Sequence, residues 1–165
     1  YISPLGRMLL AADDEGLTGL WFEGQRYFAL HLDENHEEKE TPVLSETKRW
    51  LDIYFSGSRP DFTPPLHVTG SDFHRKVSDI MRTIPYGKTM THGEIAALIA
   101  EKEGGRVSAR AVGGAVGHNR ISIIIPCHRV IGSNGSLTGY AGGLDRKIRL
   151  LELEGADAHV LRKPR

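Results

Sequence analysis

Cysteine is nearly missing from this chain: Cys127 is the only one among 165 residues. A single thiol excludes an internal disulfide and any cysteine-rich zinc site. Long apolar runs are missing too. No stretch reaches the roughly 18 consecutive apolar residues that a membrane-spanning helix needs, so no membrane partner is expected. No secretory leader is legible at the N-terminus, and a reduced, cytoplasmic setting is the simplest expectation.

Net charge is absent as well, because 21 Lys and Arg balance 21 Asp and Glu. The zero conceals a split. Residues 1–69 carry 6 basic against 12 acidic side chains, and residues 70–165 carry 15 against 9. Such asymmetry points to an anionic partner for the basic half, or to two halves that attract each other. The acidic half disfavours indiscriminate adhesion of the whole protein to phosphate.

What is present falls into two parts. In the first, Leu9-Leu10-Ala11-Ala12 and Leu17 to Phe22 flank a polar turn and predict a hairpin. Residues 33–40 read as a solvated loop, and His31 and His36 as loop surface without a third metal ligand. Val43, Leu44, Thr47, Trp50, Leu51, Tyr54 and Phe55 recur at helical spacing and are expected in the core. Pro60, Pro64, Pro65 and Gly70 mark a linker. The chain is therefore divided into residues 1–63, a linker over 64–70, and residues 71–165.

The second part is helical at its start. Ser71 is placed to cap a helix carrying Phe73, Val77, Ile80, Met81 and Ile84, stopped by Pro85-Tyr86-Gly87. Thr91 with Glu94 forms a capping box for a second helix with Ile95, Leu98 and Ile99 on its apolar face. Ser108 caps a third, Ala109 to His118. Helix, loop and helix in a basic segment suggest a helix-turn-helix. Val130 to Thr138 around Asn134-Gly135 predicts a strand pair, which would be a wing. A last helix is expected from about Leu144 to Glu154.

The third helix is poor in side-chain bulk: Ala109, Ala111, Gly113, Gly114, Ala115 and Gly117 dominate it. Each helical glycine costs about 0.5–1 kcal/mol relative to alanine. That is tolerable where a backbone must come close to another surface, either a packed helix or a nucleic-acid groove. Arg110 is the one long charged side chain of its first turn.

Cys127 lies in Ile123-Ile124-Ile125-Pro126-Cys127-His128-Arg129-Val130, where an apolar run ends in a thiol, an imidazole and a guanidinium. Burying such groups requires partners for them. A basic or cationic neighbour lowers a thiol pKa towards the nucleophilic thiolate. These residues alone leave a reactive thiol and a packing cysteine both open.

Taken together, the second part resembles the O6-alkylguanine-DNA alkyltransferases, the methylated-DNA–protein-cysteine methyltransferases. Pro126-Cys127-His128-Arg129-Val130 is similar to the family's active-site signature, Ala109-Arg110-Ala111-Val112-Gly113-Gly114 to its DNA-binding helix, and Gly139-Tyr140-Ala141-Gly142-Gly143-Leu144 to its active-site loop. Residues 1–69 resemble its N-terminal domain by position more than by motif.

The resemblance implies an α+β fold. A small N-terminal sheet-plus-helix domain of ribonuclease H-like shape would precede a winged helix-turn-helix-like C-terminal domain. It implies transfer of an alkyl group from O6 of guanine in double-stranded DNA to Cys127, once per molecule, by a monomer without cofactor or metal.

By similarity, His128 acts as base through a bridging water, and Glu154 orients it in a nucleophile–base–orienter arrangement. Read locally, Glu154 is a solvated charge at a helix end. The damaged base must leave the stack. Arg110 matches the arginine that fills the gap, and Ser108, Ala109, Ala111, Gly113 and Gly114 match the groove-facing surface. Asn119, Val130, Tyr140, Ala141 and Lys147 match the base pocket. Two departures stand out. His92 replaces a common tyrosine that donates to guanine N3, and its ability to donate depends on protonation. Arg120 replaces a common proline and reads as an added cation near DNA.

Three rivals are weighed. A noncatalytic relative of the same fold would lack Cys127. A winged helix-turn-helix regulator would carry a bulky, polar recognition helix. A cysteine hydrolase would turn over an acyl substrate, and its histidine would come from elsewhere in the chain.

Overall fold

In a computed structural model of the chain, residues 1–137 and 139–156 are described. The chain starts with a three-stranded antiparallel sheet in the order β1 (Ile2–Ser3), β2 (Gly6–Ala12), β3 (Leu17–Phe22). The expected hairpin is its centre, with Met8 opposite Phe22, Leu10 opposite Leu20 and an irregularity at Ala11/Ala12. Residues 33–40 are all exposed, as expected of a solvated loop.

Helix α1 (Pro42–Phe55) follows. The Thr41 hydroxyl accepts the Leu44 N–H, and Pro42 fills the first helical turn, where no N–H is needed. Thr47, Trp50, Leu51 and Tyr54 form its buried stripe.

The same capping chemistry starts the next three helices. Ser71, Thr91 and Ser108 each accept the N–H three residues on, opening α2 (Asp72–Met81), α3 (His92–Glu103) and α4 (Ala109–Gly117). Helix α2 ends before Ile84, which packs in the core from the turn beyond it. Helix α5 (Leu144–Leu153) ends the described chain, with Glu154 as its C-cap. No described helix is long and apolar enough to cross a membrane.

The expected strand pair around Asn134-Gly135 is seen in part, its last residue lying outside the described residues. Asn134 (φ 59°, ψ 24°) and Gly135 (φ 77°) do form the tight turn that their sequence favours, and the Gly132 N–H bonds the Ser136 carbonyl at 2.7 Å. No second strand follows among the described residues; Thr138 lies outside them. Instead β5 (Val130–Ile131) pairs in parallel with β4 (Met90–Thr91). That pairing fixes the segment just after Cys127 to the start of α3.

One apolar core crosses both halves. Leu17, Leu20, Phe22, Leu51 and Tyr54 pack in the same cluster as Val77, Met81, Ile95, Val112, Ile121, Ile125 and Leu150. Each large side chain so buried contributes about 1.5–3 kcal/mol. Leu20 also bridges to Ile121 through the main chain, and Leu17 to Leu66. The acidic half thus braces the segment that leads to the cysteine.

Candidate active site

Cys127 opens a 3-10 turn, Cys127–Arg129, at the end of an irregular apolar run. Asn119 shapes that run. Its carboxamide donates to the carbonyls of Ile121 (3.2 Å) and Ile125 (2.8 Å) and accepts the Ile121 N–H (3.2 Å). The run is bent hard enough to put Ile123 at φ 70°, a costly conformation for a β-branched residue. Such strain persists only where the surroundings over-determine it, and here it delivers the thiol to a fixed place.

The Cys127 thiol is buried, and desolvation pushes its pKa up. Asn119, hydrogen-bonded to the thiol, and the charge of Lys147 pull the other way without winning. The resting sulfur is therefore a thiol that needs a base at the moment of reaction.

The adjacent His128 is fully buried, and burial lowers its pKa against the pull of Glu154. Its Nε2 lies 2.5 Å from Glu154 Oε2, whereas Nδ1 has no hydrogen-bond partner among the described groups. With the proton on Nε2, Nδ1 presents a lone pair: the state of a general base.

Glu154 is buried, where the local sequence suggested a solvated charge. Five hydrogen bonds hold it. Oε1 accepts from Arg129 Nε (2.7 Å) and the Gly87 N–H (3.1 Å); Oε2 accepts from His128, from Arg129 Nη2 (3.2 Å) and from the Tyr54 hydroxyl (2.6 Å). His128 and Arg129 outweigh desolvation and hold the carboxyl well below the usual carboxylate range. Arg129 is fixed in turn by the Ile84 carbonyl (2.8 Å) and the Tyr86 ring. Gly87, at φ 77°, has no room for a side chain, since a Cβ would lie 2.9 Å from the Glu154 carbonyl oxygen.

Lys147 is buried, unlike most helix lysines. Its Nζ donates to the Val130 carbonyl at 2.5 Å, and desolvation brings its pKa down to about 8. The Val130 carbonyl thus already has one donor, and the Cys127 carbonyl accepts the Val130 N–H. A second lone pair remains on each. The Tyr140 hydroxyl is buried near Cys127, and burial raises its pKa well above the ordinary value.

A cavity of about 510 Å³ opens between Gly113, Gly114 and Gly117 of α4 and Leu137, Tyr140 and Ala141 opposite. Arg26 and Tyr27 close one side of it. The Arg26 N–H bonds the Ala141 carbonyl (3.1 Å), and the Tyr27 ring stacks on His118 at 4.0 Å.

His92 opens α3 half-buried, its ring facing Gly113. Burial and the Lys147 charge lower its pKa, and a hydrogen bond to the Ile131 main chain opposes them without winning. Arg120 donates to Thr69 Oγ1, so it ties the linker to the end of α4.

Ser108, Ala109, Arg110, Ala111 and Gly114 form an exposed face. Arg110 has no hydrogen bond or ion pair among the described residues and is free to meet a ligand. Among the described residues, almost nothing packs where side chains on the α4 glycines would go. A Cβ at Gly114 or Gly117 would meet nothing within 4 Å, and one at Gly113 only the His92 ring at 3.7 Å.

The structure thus joins Cys127, His128, Glu154, Asn119, Lys147 and Tyr140 into one buried centre beside an exposed small-residue helix. Tyr54, Gly87 and the part played by Arg129 were not anticipated. Tyr54 sits 100 positions from Glu154 in an ordinary helical stripe, where no local signal marks it.

Comparison with known proteins agrees along most of the chain. The family model for the ribonuclease-like domain of 6-O-methylguanine DNA methyltransferase matches residues 1–68. The model for the DNA binding domain of the same family matches residues 72–156. A methylated-DNA–protein-cysteine methyltransferase of Methanosarcina acetivorans is 44% identical over 157 residues, covering 94% of this chain and 96% of that protein. One of Mycobacterium bovis is 44% identical over 156 residues, covering 94% and 90%.

Among solved structures, Mycobacterium tuberculosis OGT in complex with DNA superposes with a TM-score of 0.79 at 42% identity, covering 96% of this chain and 93% of that one. An O6-methylguanine DNA methyltransferase from Methanococcus jannaschii gives 0.61 at 32% identity, covering 91% and 89%. With both halves matched in order, and the thiol, imidazole and carboxylate brought together, the chain belongs to the 6-O-methylguanine DNA methyltransferase family.

Proposed function

We propose that this protein repairs DNA by moving an alkyl group from O6 of guanine to the sulfur of Cys127, once per molecule. The observation that carries the reading is the buried thiol next to a neutral imidazole that is itself anchored to an ionised carboxylate. His128 Nδ1 takes the thiol proton through a bridging water, and Glu154 stabilises the imidazolium. The thiolate attacks the alkyl carbon. A carbon–sulfur bond forms and the carbon–oxygen bond breaks with its electron pair left on the guanine, which takes up one proton at N1, equal in number to the one the thiol gave up. The thioether has no route back to a thiol, so the centre is spent.

Cys127 is buried, so the nucleotide must leave the duplex to reach it. Arg110 fills the gap in the stack, and the alanine and glycine face of α4 lets the backbone approach a narrow groove. Tyr140, Ala141, Val130 and Asn119 bound the receiving pocket, with Lys147 beneath it. Arg120, tied to Thr69, supports this face rather than projecting from it. The protein acts as a monomer on double-stranded DNA; residues 71–165 carry the DNA contact and the transfer, and residues 1–63 brace them.

Intact-mass spectrometry tests the reading. After mixing with O6-methylguanine DNA, the protein gains one methyl group on the Cys127 peptide, and repair stops at one equivalent. Methyl on another residue, or repair beyond one equivalent, contradicts the mechanism.

His92 gives a second prediction. A neutral imidazole carries one N–H, and here that hydrogen faces the Ile131 main chain, leaving no donor for guanine N3 at neutral pH. His92→Phe should therefore keep the single-turnover rate at pH 7.5 within about threefold. His92→Tyr, which adds a phenol donor, should raise it about tenfold, part of the 2.7–4 kcal/mol that one well-placed donor provides. A hundredfold loss in His92→Phe would instead mean that the imidazole turns to donate during transfer.

A further inference from the structure

Glu154 Oε2 is over-subscribed. A carboxylate oxygen offers two lone pairs, yet His128 Nε2, Arg129 Nη2 and the Tyr54 hydroxyl all point at it. The first two come from the signature that carries the cysteine. The third comes from α1, in the other half of the chain.

Packing alone does not explain that hydroxyl. The Tyr54 ring stacks on Trp50 at 5.3 Å and meets Phe55 and Tyr86 edge-on at 5.3 and 6.2 Å, contacts that phenylalanine would make equally well. What tyrosine adds is one donor, 2.6 Å from the atom that orients the imidazole. Burial and the Glu154 charge keep the phenol protonated far above its ordinary pKa, so it remains a donor at every working pH.

We propose that Tyr54 is a positioning residue of the alkyl transfer, whose hydroxyl competes with His128 for Glu154 Oε2 and so sets how strongly the carboxylate stabilises the imidazolium. The inference rests on the proposed roles of Cys127 and His128. It gives the N-terminal half a part in the chemistry beyond bracing.

The sign follows from charge. A donor to a carboxylate spreads its negative charge and weakens its attraction for another proton donor. Removing the Tyr54 donor leaves Oε2 more basic towards His128 and raises the pKa of the imidazolium. Arg129 and the Tyr86 ring against it, Lys147 from α5, Cys127 and Tyr140 also face the pair, and Tyr54→Phe alters none of these side chains.

The test is the pH dependence of Cys127 alkylation by iodoacetamide, followed by intact mass, with NMR titration of the His128 imidazole, assigned by its loss in His128→Gln. Tyr54→Phe should move both midpoints up by about half a pH unit or more. In a Glu154→Gln background the same substitution should move neither. Trp50→Phe, which loosens the stack and spares the hydroxyl, should leave them where they are.

Unchanged midpoints in Tyr54→Phe overturn the proposal. So does an equal shift in Trp50→Phe, or one that persists with Glu154→Gln. Neither readout uses DNA. If the protein failed to take alkyl groups from guanine, the proposed function would fall while these titrations still answered for Tyr54.

Discussion

Glu154→Ala should lose about 3–5 kcal/mol of stability together with nearly all alkyl transfer. The stability loss arises because the Arg129 guanidinium would be left without its counter-ion and the buried His128 N–H without its acceptor, and an orphaned partner of a buried ion pair costs about that much. The activity loss arises because the imidazole would no longer be held with its proton on Nε2. Losing the orienter of such a triad lowers the rate by about 10⁴-fold.

Glu154→Gln separates the two effects. It keeps the shape and part of the hydrogen bonding, so most of the variant should fold at neutral pH, yet transfer should still fall by two orders of magnitude or more. Chemical denaturation and single-turnover transfer on the same preparations check both. A Glu154→Gln protein as active as wild type would remove the carboxylate from the mechanism.

The same residue predicts how stability depends on pH. The folded-state pKa of Glu154 is depressed, so its contribution is complete above the ordinary value of 4.5 and is lost as pH falls towards the depressed one. His128 pushes in the same direction. Its folded pKa lies below 6.5, so the unfolded chain takes up a proton more readily as pH falls through that value. Wild-type stability should therefore decline from about pH 6.5 downwards and fall most steeply below pH 4.5. In Glu154→Gln the steep part should be missing.

These couplings mark the limit of what the sequence discloses. Helix starts were legible because a cap is a local device: Ser71, Thr91 and Ser108 each need only an N–H three residues away. The thiol, its imidazole and the small-residue helix were legible because each sits in a short run of unusual composition. The strand pairing of Val130–Ile131 was not legible for the converse reason. Asn134-Gly135 dictates its own turn, but a strand needs a partner edge, and Val130–Ile131 found one in Met90–Thr91.

The burial of Glu154 was invisible locally. It depends on Tyr54, Gly87 and Arg129 converging from three segments, and only the resemblance drew attention to that residue. Tyr54 had neither signal. Its side chain reads as core, and it is core except for one oxygen.

Arg110→Ala should slow repair of O6-methylguanine in duplex DNA by about 100-fold while leaving the reaction with free O6-benzylguanine within about twofold. Drawing a nucleotide out of the stack costs a few kcal/mol, and each 1.36 kcal/mol returned by a group that fills the gap is worth about tenfold in rate. Free base has no stack to leave, so it needs no such help.

The placement supports this role: Arg110 projects from the first turn of α4, exposed, unpaired among the described residues, and flanked by Ala109 and Ala111. A merely electrostatic contact behaves differently. It weakens binding to all duplexes alike and lowers the salt slope by about one unit. Arg110→Lys distinguishes the two, because lysine keeps the charge but not the flat guanidinium that stacks. It should restore the salt slope and leave repair at least about tenfold slow. Equal losses on duplex and free base would instead make Arg110 part of the centre's architecture, and full rescue by lysine would reduce it to a phosphate contact.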